Sequence, residues 1–75
     1  MTLQDIKAGK RYHIQSINSD DLALVSKILA LGIVPGETIE LMHRAPMGDP
    51  IQVKAGATYV SIRRRDGQYI GVQQA

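Results

Sequence analysis

The fold is decided by one stretch, Leu22-Ala23-Leu24-Val25-Ser26-Lys27-Ile28-Leu29-Ala30-Leu31-Gly32, which predicts the one clear helix of the sequence. At 100° per residue its large apolar side chains cover an arc of about 180°, whereas an ordinary surface helix needs about 100°. Leu24 and Leu31 lie at the edge of this arc beside Lys27. They either pack against loops of the same chain or form a ridge that contacts another protein. The apolar set is Leu22, Leu24, Val25, Ile28, Leu29 and Leu31.

Both ends of this helix carry sequence signals. Before it, Asn18-Ser19-Asp20-Asp21 offers short side chains that accept hydrogen bonds from the free N–H groups of a first turn. The two carboxylates also suit the positive end of the helix dipole. After it, Gly32 readily takes the left-handed conformation that ends many helices. Val34-Pro35-Gly36 then predicts a type II turn, which leads the chain into the next strand.

Five short strands surround the helix in sequence. The first is predicted over Lys10–Ile17, with Tyr12 and Ile14 on one face, and it precedes the helix. Four more follow, each marked by alternating apolar residues. This order predicts a mainly β fold, a small SH3-like barrel of about five strands with one α-helix inserted after the first strand, in a single domain over residues 1–75. The alternating pairs are Ile39 and Leu41, Ile51 and Val53, Val60 and Ile62, and Ile70 and Val72.

Composition excludes several classes of protein. The 75 residues are 44% hydrophobic and 21% charged, which is typical of a folded globular domain and not of a disordered linker. There is no cysteine, so a disulfide scaffold, a thiolate zinc site and an iron–sulfur cluster are excluded. No apolar run approaches the roughly 20 residues that cross a bilayer. The N-terminus lacks the features of a signal peptide. We therefore expect a cytoplasmic protein that meets a membrane only through a partner.

The residues that carry chemistry do not form a catalytic motif. The serines sit in no nucleophile motif, and the glycines form no phosphate-binding loop. The only imidazoles, His13 and His43, lie on different predicted strands, and His43 is predicted on the inward face of its strand. Direct Fe²⁺ binding by either histidine with a carboxylate such as Glu40 or Asp49 stays open as a hypothesis. The sequence otherwise predicts a non-enzyme with no cofactor and no resident metal.

The densest positive charge is Arg63-Arg64-Arg65. These arginines are predicted at a strand end, and Tyr59 shares the strand parity of Arg63 and Arg65, so the three would line one outer face. Such a cluster could hold the phosphates of RNA or DNA, although single-strand binding also wants aromatic stacking, and the chain has three Tyr, no Phe and no Trp. A small barrel that binds nucleic acid is thus the alternative function. A solvated strand, or one that meets an acidic protein, is the other reading.

The loop Arg44-Ala45-Pro46-Met47-Gly48-Asp49-Pro50 has two prolines around a Gly-Asp turn, which favours one loop shape. Met47 at its tip would be an adaptable contact group, unless the loop is only a tight strand connection. With Leu31-Gly32-Ile33-Val34-Pro35-Gly36, this loop makes the sequence resemble the FeoA family, small cytosolic accessory proteins of bacterial ferrous-iron uptake. The resemblance runs from about Leu3 to Val72 and includes the segments Ser61-Ile62-Arg63 and Ile70-Gly71-Val72.

The resemblance implies an SH3-like fold and a partner, the cytosolic GTP-binding region of the FeoB transporter. FeoA-like domains also occur at the C-terminus of iron-dependent repressors, as interaction modules. Two positions depart from the family pattern. Lys27 stands where Arg is frequent, which keeps the charge but loses bidentate geometry, and Gly67 stands where Ala is common, which would loosen the turn before the last strand.

From the residues and the resemblance together we predict a partner-contact surface. It joins the helix edge to the 46–50 loop and to an outward-facing arginine. Uncovered leucines at the helix edge could also pair two copies of the chain. The predicted contacts are Leu24, Lys27, Leu31, Pro46, Met47, Asp49 and Arg63.

Overall fold

The computed structural model describes all 75 residues. A short 3-10 turn over Leu3–Asp5 is followed by strand β1 (Arg11–Ile17) and helix α1 (Leu22–Ala30). Strands β2 (Thr38–Arg44), β3 (Ile51–Ala55) and β4 (Thr58–Ile62) come next. A four-residue helix α2 (Arg64–Gly67) and strand β5 (Ile70–Gln74) complete the chain. The predicted mainly β class, the five strands and the helix after the first strand are confirmed.

The strands form one antiparallel sheet in the order β4-β3-β2-β1-β5. Its inward face holds the core, because the alternating apolar residues of every strand point to the same side. Tyr12 and Ile14 of β1 are each 2% exposed, as predicted. The core consists of Leu3, Ile6, Tyr12, Ile14, Ile28, Ile33, Ile39, Leu41, Ile51, Val53, Ala55, Ile62, Ile70 and Val72.

Helix α1 begins and ends as its sequence predicts. The Oδ1 atom of Asp21 accepts hydrogen bonds from the backbone N–H groups of Ala23 (3.0 Å) and Leu24 (3.2 Å). The helix ends at Ala30, one residue before the predicted Leu31, and Gly32 follows with φ of 94°. The turn after it is confirmed: Gly36 has φ of 98°, and the N–H of Glu37 donates to the Val34 carbonyl (3.0 Å).

A β-bulge in β2 makes the prediction for His43 wrong. The register of β2 against β3 shifts between Leu41, which faces Val53, and His43, which faces Gln52. The extra residue reverses the inside–outside alternation beyond it, so His43 is exposed. Arg44 is half-buried instead and faces Ile51, and its Nη2 donates to the Ile6 carbonyl (2.8 Å).

Candidate docking surface

Three separate chain segments meet on one side of the domain: helix α1, the 45–50 loop and helix α2. The Lys27 Nζ atom donates to the Asp66 Oδ2 atom at 3.3 Å, which joins α1 to α2. The backbone N–H of Arg64 donates to the Asp49 Oδ1 atom at 2.9 Å, which joins α2 to the loop. The predicted contact residues Lys27, Asp49 and Arg63 therefore lie on directly connected segments, although they are distant in sequence.

Helix α1 leaves part of its wide apolar arc uncovered. Ile28 is buried in the core, and Leu24 is half-buried against the same core. Leu31 is also half-buried, whereas Leu22 is 79% and Leu29 is 41% exposed. The sequence left two alternatives for Leu24 and Leu31, packing within the chain or a ridge that contacts another protein. Leu24 packs on the domain's own core while keeping part of its surface exposed, and a partner contact at either leucine stays a prediction.

The 45–50 loop is tightly built and holds one apolar side chain in solvent. The N–H of Gly48 donates to the Ala45 carbonyl (2.7 Å), and the N–H of Ala45 donates to the Pro50 carbonyl (3.1 Å). Gly48 has φ of 84°, which favours glycine at this point of the turn. The Met47 side chain is 93% exposed, so the loop presents it without packing it. Methionine is flexible and polarizable, so its side chain adapts readily to the shape of a neighbouring surface.

The arginine run adopts a different shape from the predicted one. Arg63 is the residue before α2, and Arg64 and Arg65 lie in its first turn. Strand parity therefore stops at Ile62, and the expectation that Tyr59, Arg63 and Arg65 line one outer face is wrong. All three arginines are exposed, and no acidic side chain lies within salt-bridge distance of them. The candidate docking surface, called the docking surface below, consists of Lys27 and Leu29 of α1, the half-buried Leu31 that follows α1, the 45–50 loop and Arg63.

Known proteins match this chain over nearly its whole length. The family model described as the FeoA domain matches residues 1–74. The chain belongs to the FeoA family. This confirms the resemblance seen at the two glycine- and proline-rich segments.

Solved structures agree with the assignment. The FeoA protein from Chlorobium tepidum is 30% identical, with a TM-score of 0.86, and the match covers 99% of this chain and 70% of that one. Iron(II) transport protein A from Clostridium thermocellum is 34% identical, also with a TM-score of 0.86, over 100% of this chain. This chain spans 46% of that longer one. The zinc-complexed FeoA from Stenotrophomonas maltophilia, described as an SH3 domain protein, shares the fold at 24% identity over 97% of this chain and 89% of that one, with a TM-score of 0.82.

The FeoA domain described here differs from SH3 domains that bind proline-rich peptides in aromatic-lined grooves. Its tyrosines are Tyr12, which is buried, Tyr69, which is half-buried, and Tyr59, which lies on β4. None belongs to the docking surface, which consists mainly of apolar and charged side chains. None of the helices is both long enough and apolar enough to span a bilayer.

The residues considered for iron do not gather in this FeoA domain. Glu40 is paired with Arg11 at 2.9 Å, and Asp49 accepts from the Arg64 backbone. No group of three or more His, Asp or Glu side chains lies close enough together to hold a metal ion. His13 and His43 are both exposed and face different strands.

Sequence reasoning missed one feature of the docking surface and one groove elsewhere on the domain. Asp66 was not singled out, yet it is only 8% exposed and receives the Lys27 ammonium. A carboxylate that pairs with a residue 39 positions away leaves no local sequence signal. The second is an open groove of about 430 Å³ beside the bulge in β2, lined by Lys7, Ala8, Leu41, Met42, His43 and Arg44.

Gly67 also has a role that the sequence did not indicate. A Cβ atom at this position would lie 3.3 Å from the Cβ of Leu3, closer than most real contacts. The glycine lets α2 approach the N-terminal 3-10 turn, and Gln4 Nε2 donates to the Arg64 carbonyl (2.9 Å) at the same junction. Gly67 therefore allows close packing here, where the sequence suggested only a looser turn.

Proposed function

We propose that this FeoA domain is a non-enzymatic interaction module in ferrous-iron uptake that binds the cytosolic GTP-binding region of a FeoB-type transporter. Family membership supports the link to iron transport, as does the name of the Clostridium thermocellum relative, iron(II) transport protein A. The domain would act in the cytoplasm and reach the membrane only through this partner.

The observation that carries the proposal is the bracing of the docking surface. Two hydrogen bonds, Lys27 to Asp66 and Arg64 to Asp49, hold α1, α2 and the loop in one arrangement before any partner arrives. A surface that is already ordered loses less conformational entropy on binding than a flexible one. The hydrogen bond from Arg64 to Asp49 ties down the loop that carries the exposed Met47, which supports a contact role for this loop beyond connecting two strands.

The chemistry of the docking surface fits an acidic partner with an apolar centre. Met47 and Leu29 supply apolar area, and Arg63 with its two neighbouring arginines supplies positive charge. Burying one such apolar side chain contributes about 1.5–3 kcal/mol when it is fully covered. The exposed guanidinium groups would raise the association rate with a negatively charged face.

Binding alone is enough to regulate the transporter. A bound domain shifts the equilibrium between two transporter states if its affinities for them differ. No proton transfer or covalent step by this chain is needed, so the proposal requires no catalytic residue. The direction of the effect, activation or inhibition, depends on which state presents the better complementary surface.

The test is the affinity of Met47→Asp for the isolated cytosolic GTP-binding region of the transporter, measured by calorimetry. We expect the dissociation constant to rise about 10- to 100-fold, because the buried methionine is lost and a carboxylate meets an acidic face. The matched control is Met42→Asp, a methionine on β2 that is 46% exposed and outside the docking surface. It should bind like the wild type.

Unchanged affinity in the folded Met47→Asp variant would contradict the proposed surface. An equal loss in both methionine variants would show a general charge effect in place of a specific contact. Iron uptake by cells that carry each variant provides the functional readout, and it should fall with Met47→Asp and not with Met42→Asp.

A further inference from the structure

The two edge strands of the sheet, β5 and β4, differ in whether other backbone pairs with them. At the β5 edge, Thr2 forms a bridge with Gly71, and the N–H of Val72 donates to the Met1 carbonyl at 3.0 Å. The N-terminus therefore covers that edge. At the β4 edge, none of the 18 backbone hydrogen bonds made outside the regular elements involves residues 58–62. An uncovered strand edge is a template for pairing with another strand.

The hairpin geometry shows which groups of β4 face outward. Gly56 and Ala57 form a two-residue loop between the paired residues Ala55 and Thr58. Such a closing pair is hydrogen-bonded, and pairs that bond across the ladder alternate with pairs that do not. Thr58, Val60 and Ile62 therefore bond to β3, and the N–H and C=O groups of Tyr59 and Ser61 point to the free edge.

Strand β4 lacks the features that usually prevent an edge strand from pairing with another strand. Its sequence is Thr-Tyr-Val-Ser-Ile, with no charge and no proline, and its ladder with β3 shows no bulge. Charges, prolines and bulges are the devices by which natural proteins protect an open edge. Tyr59 is 64% exposed and Val60 is half-buried, so both have area that a second strand would cover.

We propose that β4 pairs with β4 of a second copy of this chain, antiparallel about a two-fold axis at Val60. In this register Tyr59 lies opposite Ser61 of the second copy, and Ser61 lies opposite its Tyr59. All outward N–H and C=O groups of both residues are then satisfied, by four hydrogen bonds between the copies. The two sheets join into one continuous sheet of ten strands.

Neighbouring registers satisfy fewer groups. An axis at Tyr59 would place Ser61 opposite Ala57 of the second copy, which lies in the hairpin turn. An axis at Ser61 would place Tyr59 opposite Arg63, which is outside β4. Only the axis at Val60 pairs two in-strand residues on both sides.

The positive charges do not oppose this arrangement. In the Val60 register the two copies of Arg63 are offset by six residues along the strands. At about 3.4 Å per residue this separates their backbones by about 20 Å, well beyond the Debye length of about 8 Å at physiological ionic strength. The arginine runs therefore flank the joint at opposite ends.

The experiment is sedimentation velocity of the whole chain from micromolar to millimolar concentration, with amide hydrogen exchange by NMR over the same range. We expect the mass to rise from 8.2 kDa toward twice that value. The amides of Tyr59 and Ser61 should become protected as the concentration rises, and the already bonded amide of Val60 should change less.

Ser61→Pro is the decisive variant, because it removes an outward N–H that the ladder with β3 does not use. It should raise the dimer dissociation constant at least about tenfold, since two of the four hydrogen bonds between copies are lost. Ser61→Thr keeps the N–H and should dimerise like the wild type. If Ser61→Pro does not fold, the wild-type amide protection alone decides.

A chain that stays monomeric at millimolar concentration would overturn the proposal. So would a dimer that persists unchanged in Ser61→Pro, or one whose new protection lies on α1 instead of β4. None of these results affects the proposed transporter-binding function, which depends on the docking surface.

Discussion

Removing the ammonium of Lys27 should destabilise the domain measurably, although this side chain is mostly exposed. The Lys27 Nζ atom lies 3.3 Å from the Oδ2 atom of its carboxylate partner Asp66. The Asp66 side chain is 12% exposed, whereas the Lys27 side chain is 60% exposed. A hydrogen bond to a charged group contributes about 1.5–3 kcal/mol, and an exposed ion pair about 0.2–1 kcal/mol. The Lys27–Asp66 pair lies between these two cases, so we expect Lys27→Met to lower the free energy of unfolding by about 1–1.5 kcal/mol.

The coupling energy between Lys27 and Asp66 measures the interaction that joins α1 to α2, separately from other effects of each substitution. Lys27→Met also removes a positive charge from the last turn of α1, but this dipole term cancels in a double-mutant cycle. Methionine has nearly the helix propensity of lysine, so propensity adds little. With Asp66→Asn as the second variant, the coupling energy should be about 1 kcal/mol.

The assay is denaturant unfolding of the wild type, both single variants and the double variant. For a domain of this size, a loss of 1–1.5 kcal/mol corresponds to a melting temperature lower by about 4–12 °C. A coupling energy below about 0.3 kcal/mol would refute the reasoning, because independent sites add within that error. In that case the two helices would be held together by packing alone.

Three further predictions concern the loop tether, the end of α1 and the arginine run. Asp49→Ala removes the acceptor of the Arg64 N–H, so it should lower the free energy of unfolding by about 1 kcal/mol and speed amide exchange at Arg64. Asp49→Asn keeps an oxygen acceptor and should lower it less. Equal amide exchange at Arg64 in the wild type and both variants would exclude this tether. Gly32→Ala places a residue with a Cβ atom at a φ of 94°, so it should lower the free energy of unfolding by about 1–2 kcal/mol, measured by thermal unfolding. An unchanged unfolding midpoint would show that the turn relaxes freely. The Arg63–Arg65 run should retain no RNA or DNA on filters at low salt, and salt-sensitive retention would revive the nucleic-acid alternative.

The five strands and helix α1 could be predicted because their signals are local. The cap at Asp21, the left-handed Gly32 and the alternating apolar residues each depend on neighbours within a few positions. The same alternation of apolar residues predicted which strand residues face the core. Where a pattern of period two or 3.6 is unbroken, the sequence contains enough information to place the element.

The errors arose where the backbone departs from these periods. The bulge before His43 depends on how β2 and β3 fit together, so counting residues along β2 alone places His43 inside. The helical turn at Arg64–Gly67 follows a strand without an apolar signal, and its close contact with Leu3 is made across the chain. Such long-range fits cannot be read from one segment.

The docking surface was predictable only in part, for the same reason. Met47 was identified correctly as an exposed loop tip, because Pro46, Gly48 and Pro50 mark the turn. The packing of Leu24 on the core could not be decided from the sequence, because helix periodicity gives the width of the apolar arc and not how much of it the rest of the domain covers. The bracing of the surface by Asp66 became visible only in three dimensions.

The most direct measurement is an NMR titration of the isotope-labelled domain with the cytosolic GTP-binding region of a FeoB-type transporter. We expect the amide signals of Lys27, Leu29, Met47 and Arg63, and the methyl signals of Leu29 and Met47, to change together at substoichiometric amounts of the partner. Changes confined to the groove beside Lys7 and His43, or no changes at all, would contradict this expectation.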